Sequence, residues 1–162
     1  MKWDASRSPG ENAIRRLPRM TRKFFDAGDV AASPKATPAQ MHTFRLRTKR
    51  FRYTLEFFRP CYGSGMDFVL ESLRQLQQHL GEINDSAASA AFLLERRDLN
   101  DRQRAAIRRN LDRSAALAAK AFRAFWDEHF RPAARQKEVL QYLGAAGSVK
   151  SGRTSRPPRE ST

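Results

Sequence analysis

Hydrophobic positions between residues 41 and 58 recur at helical spacing on one side of the segment. This apolar stripe consists of Met41, Phe44, Thr48, Phe51, Leu55 and Phe58. A second apolar strip, Leu46, Tyr53 and Phe57, projects in another direction. Because residues three, four and seven apart share one face of a helix, the pattern predicts an amphipathic helix over about residues 39–59.

The rest of the chain also favours helices, since no segment shows convincing period-two alternation. Pro18 is expected to kink or interrupt the first helix, Gly28 to stop it, and Asp85 to cap a short Ala-rich helix. The further predicted helices are 12–27, 66–82, 86–96 and 101–130, with an amphipathic turn at 133–143. The predicted fold class is therefore all-α, an antiparallel helical bundle.

The same pattern divides the chain into four regions. We expect a disordered N-terminus at 1–11, a lead-in helix and connector at 12–38, a helical bundle at 39–143, and a disordered basic tail at 144–162. The tail is rich in Gly, Ser, Arg and Pro, which is a composition that does not bury a core.

A row of basic side chains lies between the two apolar strips of the helix predicted at 39–59. His42, Arg45, Lys49 and Arg52 fall within an arc of about 80°. Like charges at this spacing repel one another, so the row is best explained if an anion fills it. Apolar residues on both flanks indicate that the cations line a groove or pore between packed helices. The plain alternative is a solvated charged face, which is what most charge runs on helices are.

Composition sets the range of partners. The chain has 162 residues, enough for one domain with a core, and a formal net charge of +14, which attracts any polyanion. Residues 41–60 carry six Lys or Arg against one Glu. A single Cys61, no apolar run long enough to span a bilayer, and no signal-peptide core together favour the cytoplasm and no membrane insertion.

Two segments carry a resemblance to a known family. They are MHTFRLRTKRFRY at residues 41–53 and LQQHLGEIND at residues 76–85. In this order and at this separation they are similar to the second half of a CHAD domain, the conserved histidine α-helical domain. The resemblance covers about residues 39–130, and residues 12–38 look like the family's lead-in helix and connector.

The resemblance implies a function. CHAD domains are helical bundles with internal pseudosymmetry that surround a basic pore, bind inorganic polyphosphate, and in some members localise to polyphosphate granules. It therefore implies that the four residues of the row line a polyphosphate-binding surface. Arg50 also matches the motif, although it points about 100° away from the centre of the row. From the second segment, Arg74 and Gln77 share a helix face and are candidates to hydrogen-bond phosphate.

Other residues of the second segment are expected to be structural. We expect Asn84 and Asp85 to cap a helix and fix a corner, and Gly81 to allow neighbouring backbones to approach. His79 is expected to be exposed or to pack, and His129 to meet the negative end of its helix.

One departure from the family pattern concerns symmetry. A complete domain carries a His/Arg/Lys helix in each half, whereas residues 1–40 contain no His. Two hypotheses follow: the chain is a short version of the domain, or two copies form a homodimer that rebuilds a symmetric pore.

Catalysis finds little support in the sequence. There is no Gly-rich phosphate loop, no nucleophile with an evident partner, and no metal or cofactor motif, so we expect a protein that is not an enzyme. Glu56 beside the row is interpreted as an orienting ion-pair partner. Two alternatives to polyphosphate binding stay open: a nucleic-acid binder that uses the basic tails and the Arg-rich last helix, and a helical scaffold with a vestigial anion site.

Overall fold

The computed structural model describes residues 3–94, 96 and 98–145, and within them it contains helices and no strand. The helices are α1 Pro9–Ala31, α2 Pro38–Phe58, α3 Gly65–Leu94, α4 Asp101–His129 and α5 Ala133–Ala145. A 3-10 turn, Arg59–Cys61, follows α2. The prediction of an all-α fold is confirmed.

Capping residues explain where three of the helices begin. Each starts with a capping box, Ser8 with Glu11, Thr37 with Gln40, and Asn100 with Gln103. In such a box each side chain accepts a hydrogen bond from a backbone N–H that has no partner within the helix. The first residues of α1 and α2 are Pro9 and Pro38, whose fixed φ suits this position.

The helices pack in an order that places α2 at the centre. The long helices α3 and α4 run along each other, α1 packs against α2 and α5, and α2 packs against α3. The core that they share is aromatic. Phe24 lies within ring-contact distance of Phe44, Phe51, Trp126 and Phe130, with centroids 4.8–5.7 Å apart. These rings contribute large buried areas and edge-to-face contacts, which fix α1 and α4 relative to α2.

Gly28 lies inside α1 and does not end it. The helix continues to Ala31, because Gly28 is the point at which Trp126 of α4 packs against the α1 backbone. A Cβ atom at this position would lie 1.9 Å from Cη2 of Trp126. The indole N–H donates to Oδ1 of Asp29 at 2.9 Å, which orients the ring. The expectation that Gly28 stops the first helix was wrong because the close contact comes from another helix.

The N-terminal segment also differs from the expectation of disorder over residues 1–11. Helix α1 begins at Pro9, and the backbone N–H of Asp4 donates to Oδ1 of Asn12 at 3.0 Å. The Asn12 amide in turn donates to the Asp4 carbonyl at 2.9 Å. Pro18 lies inside the helix without interrupting it, since buried Leu17 and Thr21 on either side hold this face against the core.

Helix α3 is continuous from Gly65 to Leu94, where the sequence predicted two helices with a corner at Asp85. Gly81 lies within it, and a Cβ atom there would meet nothing within 4 Å, so it permits no close approach. A glycine in a helix costs about 1 kcal/mol relative to alanine. Packing of α3 against α4 and α2 offsets that cost, which is why the corner does not form.

Helix α5 closes the bundle against α1 and the turn after α2. The Tyr62 hydroxyl donates to the Leu143 carbonyl at 2.7 Å, and the Tyr142 hydroxyl donates to the Tyr62 carbonyl at 2.9 Å. Burial raises the pKa of Tyr62. The tail predicted at 144–162 begins inside α5, and from residue 146 onward it lies outside the described residues. No described helix is both long and apolar enough to cross a membrane.

Candidate anion-binding site

The orientation of α2 fixes where its basic row lies. All six residues of the predicted apolar stripe are buried, and they are the buried residues of this helix: Met41, Phe44, Thr48, Phe51, Leu55 and Phe58. Helical geometry then directs His42, Arg45, Lys49 and Arg52 away from the core. His42 and Lys49 are exposed, and Arg45 and Arg52 are half-buried. The row therefore forms one cationic surface along α2.

Two of these cations have no counter-ion. Across residues 3–94, 96 and 98–145, neither Arg45 nor Lys49 forms an ion pair. The ammonium of Lys49 lies 5.9 Å from the ring centroid of Tyr53, and the Arg52 guanidinium lies 4.7 Å from the same ring. The ring attracts both cations weakly, and Lys49, which is exposed, keeps its ammonium N–H donors open to solvent. An anion that approaches the row meets donors that are already positioned.

Arg52 is the one residue of the row that pairs with a carboxylate. Its Nη1 donates to Oε1 of Glu56 at 2.5 Å, whereas its Nε is buried without a partner. Glu56 also lies 4.0 Å from Arg74 of α3, and Arg74 donates to Glu71 at 3.0 Å. Glu56 thus joins the row to a cation on the neighbouring helix, in agreement with its interpretation as an ion-pair partner.

The other end of the row contacts α3 through His42. Its Nδ1 lies 3.3 Å from Oδ1 of Asn84, so the imidazole can donate to the amide oxygen through Nδ1 and present Nε2 to solvent. The expectation that Asn84 caps a helix was wrong, because α3 continues past it. Gln77 is half-buried on the same helix, and its amide has no hydrogen-bond partner within the described residues. Arg74, Gln77 and Asn84 therefore extend the row onto α3.

The apolar strip on the second flank of the row contradicts the expectation that the row lines a groove or pore between packed helices. Leu46, Tyr53 and Phe57 are 49–67% exposed, so this strip packs against no helix of the described chain. The row is consequently an open face bordered by α3 on one side, and not a groove enclosed by packed helices. Sequence periodicity showed that the strip was apolar, but not whether a partner helix covers it.

Arg50 lies outside the row. It lines a cleft between α1 and α2 together with Arg16 and Arg47, on another side of the helix. The cationic residues of α1 were not predicted to belong to any site. Their spacing, with Arg15, Arg16, Arg19 and Lys23 on one stretch of helix, was the available signal.

The two remaining histidines belong to packing contacts. His79 lies 5.0 Å from the ring of Phe125, and His129 lies 4.3 Å from the same ring. No group of three or more His, Cys, Asp or Glu side chains that could hold a metal ion occurs in the described part of the chain.

Comparison with known families identifies the family of the chain. A sequence model of the CHAD domain matches residues 2–94. The chain belongs to the CHAD domain family. The matched range contains α1, α2 and α3, and with them the basic row and the α3 residues beside it. It starts nearer the N-terminus than the resemblance at residues 39–130 implied, and ends before α4. No curated protein and no solved structure matches the chain.

Proposed function

We propose that this CHAD domain binds inorganic polyphosphate, without catalysis, on the face formed by His42, Arg45, Lys49 and Arg52. The observation that carries the proposal is the row itself: four cationic or protonatable side chains on one helix face, two of them without a counter-ion in the described structure. Membership of the CHAD family supports it, since this domain is known in polyphosphate-related proteins.

The mechanism is electrostatic capture followed by hydrogen bonding. The row runs from His42 to Arg52, a rise of about 15 Å along the helix, so several phosphates of an extended chain contact it at once. The planar Arg forks bind phosphate oxygens in pairs, while Lys49 contributes a point charge. Arg74 and Gln77 add donors from α3. Each phosphate that is neutralised releases counter-ions and lowers log affinity by about 0.7 per unit of log salt, by analogy with single-stranded nucleic acid.

The decisive experiment compares long-chain polyphosphate binding to the wild type and to an Arg45→Ala/Lys49→Ala/Arg52→Ala variant. We expect the variant to lose most of its affinity and to reduce the salt slope by about 2, from three lost contacts. Circular dichroism and thermal melting establish that the variant remains folded.

A charge-matched control separates a site from diffuse attraction. Arg102, Arg108 and Arg109 are exposed on α4. The variant Arg102→Ala/Arg108→Ala/Arg109→Ala removes three positive charges, as the row variant does, but from α4 instead of α2. If this control loses as much affinity as the row variant, the net charge of the chain accounts for binding and the proposed site is wrong.

The homodimer stays a prediction. The exposed apolar strip on α2 is the surface that a second copy would cover. A monomeric mass in solution together with undiminished polyphosphate binding would contradict the need for a second copy. The nucleic-acid alternative that uses the basic tails and the Arg-rich last helix also stays a prediction. Residues 146–162 of the C-terminal tail lie outside the described residues, whereas Arg102, Arg108 and Arg109 are exposed on α4.

A further inference from the structure

A second surface of α2 combines exposed aromatic rings with cations. A cleft of about 510 Å³ lies where the N-terminal segment meets α2. Its apolar wall consists of Trp3, Leu46, Tyr53 and Phe57, which are 45–67% exposed. The Trp3 ring stacks on Phe58 and meets Phe57 edge-on, each at 6.2 Å between centroids. We refer to this feature as the aromatic cleft. Contacts between the rings hold Trp3 and Phe57 in place, and the exposed sides of both rings are open to a ligand.

An adjoining cleft between α1 and α2 is cationic. It measures about 550 Å³, and Asp26 is the one acidic residue in its lining. The cations that line it are Arg15, Arg16, Arg19 and Lys23 from α1, and Arg47 and Arg50 from α2. Arg15 lies 3.6 Å from Asp4. The other five form no ion pair within residues 3–94, 96 and 98–145. We refer to this feature as the cationic cleft.

The two clefts form one continuous surface, because Arg16 and Arg50 line both of them. Unpaired cations next to exposed rings match the chemistry of single-stranded nucleic acid, in which each nucleotide offers a phosphate and a flat base. Polyphosphate has no group that gains from an aromatic ring. Arg16 and Lys23 are about 10 Å apart along α1, enough for about three phosphates of a stacked strand.

We propose that the paired clefts bind single-stranded nucleic acid, with phosphates on Arg16, Arg19 and Lys23 and with bases stacked on the separate exposed rings of Trp3 and Phe57. This site does not depend on polyphosphate binding by the row, which lies on the adjoining face of α2. Lys49 is the residue common to the row and the aromatic cleft. Variants at Lys49 are therefore excluded from the test.

The test uses a 12-nucleotide oligothymidylate and an abasic oligonucleotide of equal length. The chain has two tryptophans; Trp126 is fully buried and Trp3 is 45% exposed, so quenching of the exposed indole reports base stacking. We expect the oligothymidylate to quench the fluorescence and to bind at least about fivefold tighter than the abasic strand. Trp3→Phe should abolish the quenching, and Phe57→Ala should weaken only oligothymidylate binding.

Charge variants test the cationic cleft. Arg16→Gln/Arg19→Gln/Lys23→Gln should weaken both oligonucleotides and lower the salt slope by about 2. The α4 control Arg102→Gln/Arg108→Gln/Arg109→Gln should leave the salt slope unchanged. The same α1 variant should retain polyphosphate binding if that ligand uses the row, so failure of one proposal is distinguishable from failure of the other.

Four results obtained with the two oligonucleotides and the variants would overturn the proposal. The first is equal affinity for the abasic strand and the oligothymidylate, and the second is the absence of tryptophan quenching. The third is an α1 charge variant whose affinity and salt slope equal those of the α4 control. The fourth is a change in the oligomeric state of the protein in solution when Phe57 is replaced by Ala. The last would make the aromatic cleft an interface between copies of this chain. Thymidine monophosphate that quenches with the affinity of the 12-mer would also overturn it, because the ligand would then be a free nucleotide.

Discussion

Removing the carboxylate of Glu56 should strengthen polyphosphate binding. In the free protein Glu56 accepts from Arg52 at 2.5 Å and lies 4.0 Å from Arg74, so it competes with phosphate for both guanidinium groups. The variant Glu56→Gln keeps a hydrogen-bond acceptor for Arg52 and removes the negative charge. A phosphate bound to Arg52 then meets a neutral neighbour.

The size of the effect follows from Coulomb's law. A phosphate on Arg52 would lie about 5 Å from the Glu56 carboxylate, where the repulsion is about 1 to 3 kcal/mol for effective dielectric constants of 80 to 20. The Glu56 side chain is 32% exposed, so solvent screens it and the lower figure applies. We therefore expect about a fivefold gain in affinity for Glu56→Gln.

The assay is fluorescence anisotropy of end-labelled polyphosphate at fixed ionic strength, with Glu71→Gln as the matched control. Glu71 also pairs with Arg74, at 3.0 Å, but has no contact with Arg52. Both variants raise the net charge by one. We expect Glu71→Gln to change affinity by less than about twofold, because an exposed ion pair contributes at most about 1 kcal/mol.

Thermal melting gives an independent readout. Loss of the ion pair should lower the stability of free Glu56→Gln by about 0.3–1 kcal/mol, and polyphosphate should restore it by binding the folded state. If Glu56→Gln binds no tighter than the wild type, or gains no more than Glu71→Gln, then Glu56 positions Arg52 for the ligand and does not compete with it.

Three further predictions concern the row and the packing of the helices. His42→Ala should weaken polyphosphate binding modestly, since it removes from the end of the row a side chain that can donate to phosphate; His42→Gln keeps a donor and should retain more of the affinity. Gly28→Ala should destabilise the fold by about 1–3 kcal/mol or more in denaturant unfolding, because its Cβ would overlap Trp126. Gly81→Ala should raise stability by about 0.5–1 kcal/mol in the same assay, because it gains helix propensity in open space.

These predictions have clear contrary results. Unchanged polyphosphate affinity in His42→Ala would exclude a direct contact between His42 and the ligand. The two glycine variants control for each other, since the substitution is the same in both helices. If both shift the unfolding midpoint equally, the contact between Gly28 and Trp126 contributes nothing to stability.

Within α2, the sequence determined the fold locally. The spacing of its apolar residues identified all six buried positions and the direction of the basic row, because both depend on the 3.6-residue period of one helix. The motifs in α2 and α3 identified the family, and the absence of period-two alternation identified the all-α class. The residues at which helices begin and end were less well predicted. Gly28, Gly81 and Asp85 are residue types typical of helix termini, but all three lie inside helices.

Contacts between helices decided the rest. Gly28 is inside α1 because Trp126 of α4 packs on it, and α3 continues through Gly81 because α3 packs against α4 and α2. The contact between Asn84 and His42 depends on how α3 packs against α2. The cleft that Arg50 shares with the cations of α1 depends on how α1 packs against α2. A one-dimensional pattern gives the direction of each side chain around its own axis. It does not give the distance to a neighbouring helix, and that distance decides which cations share a site.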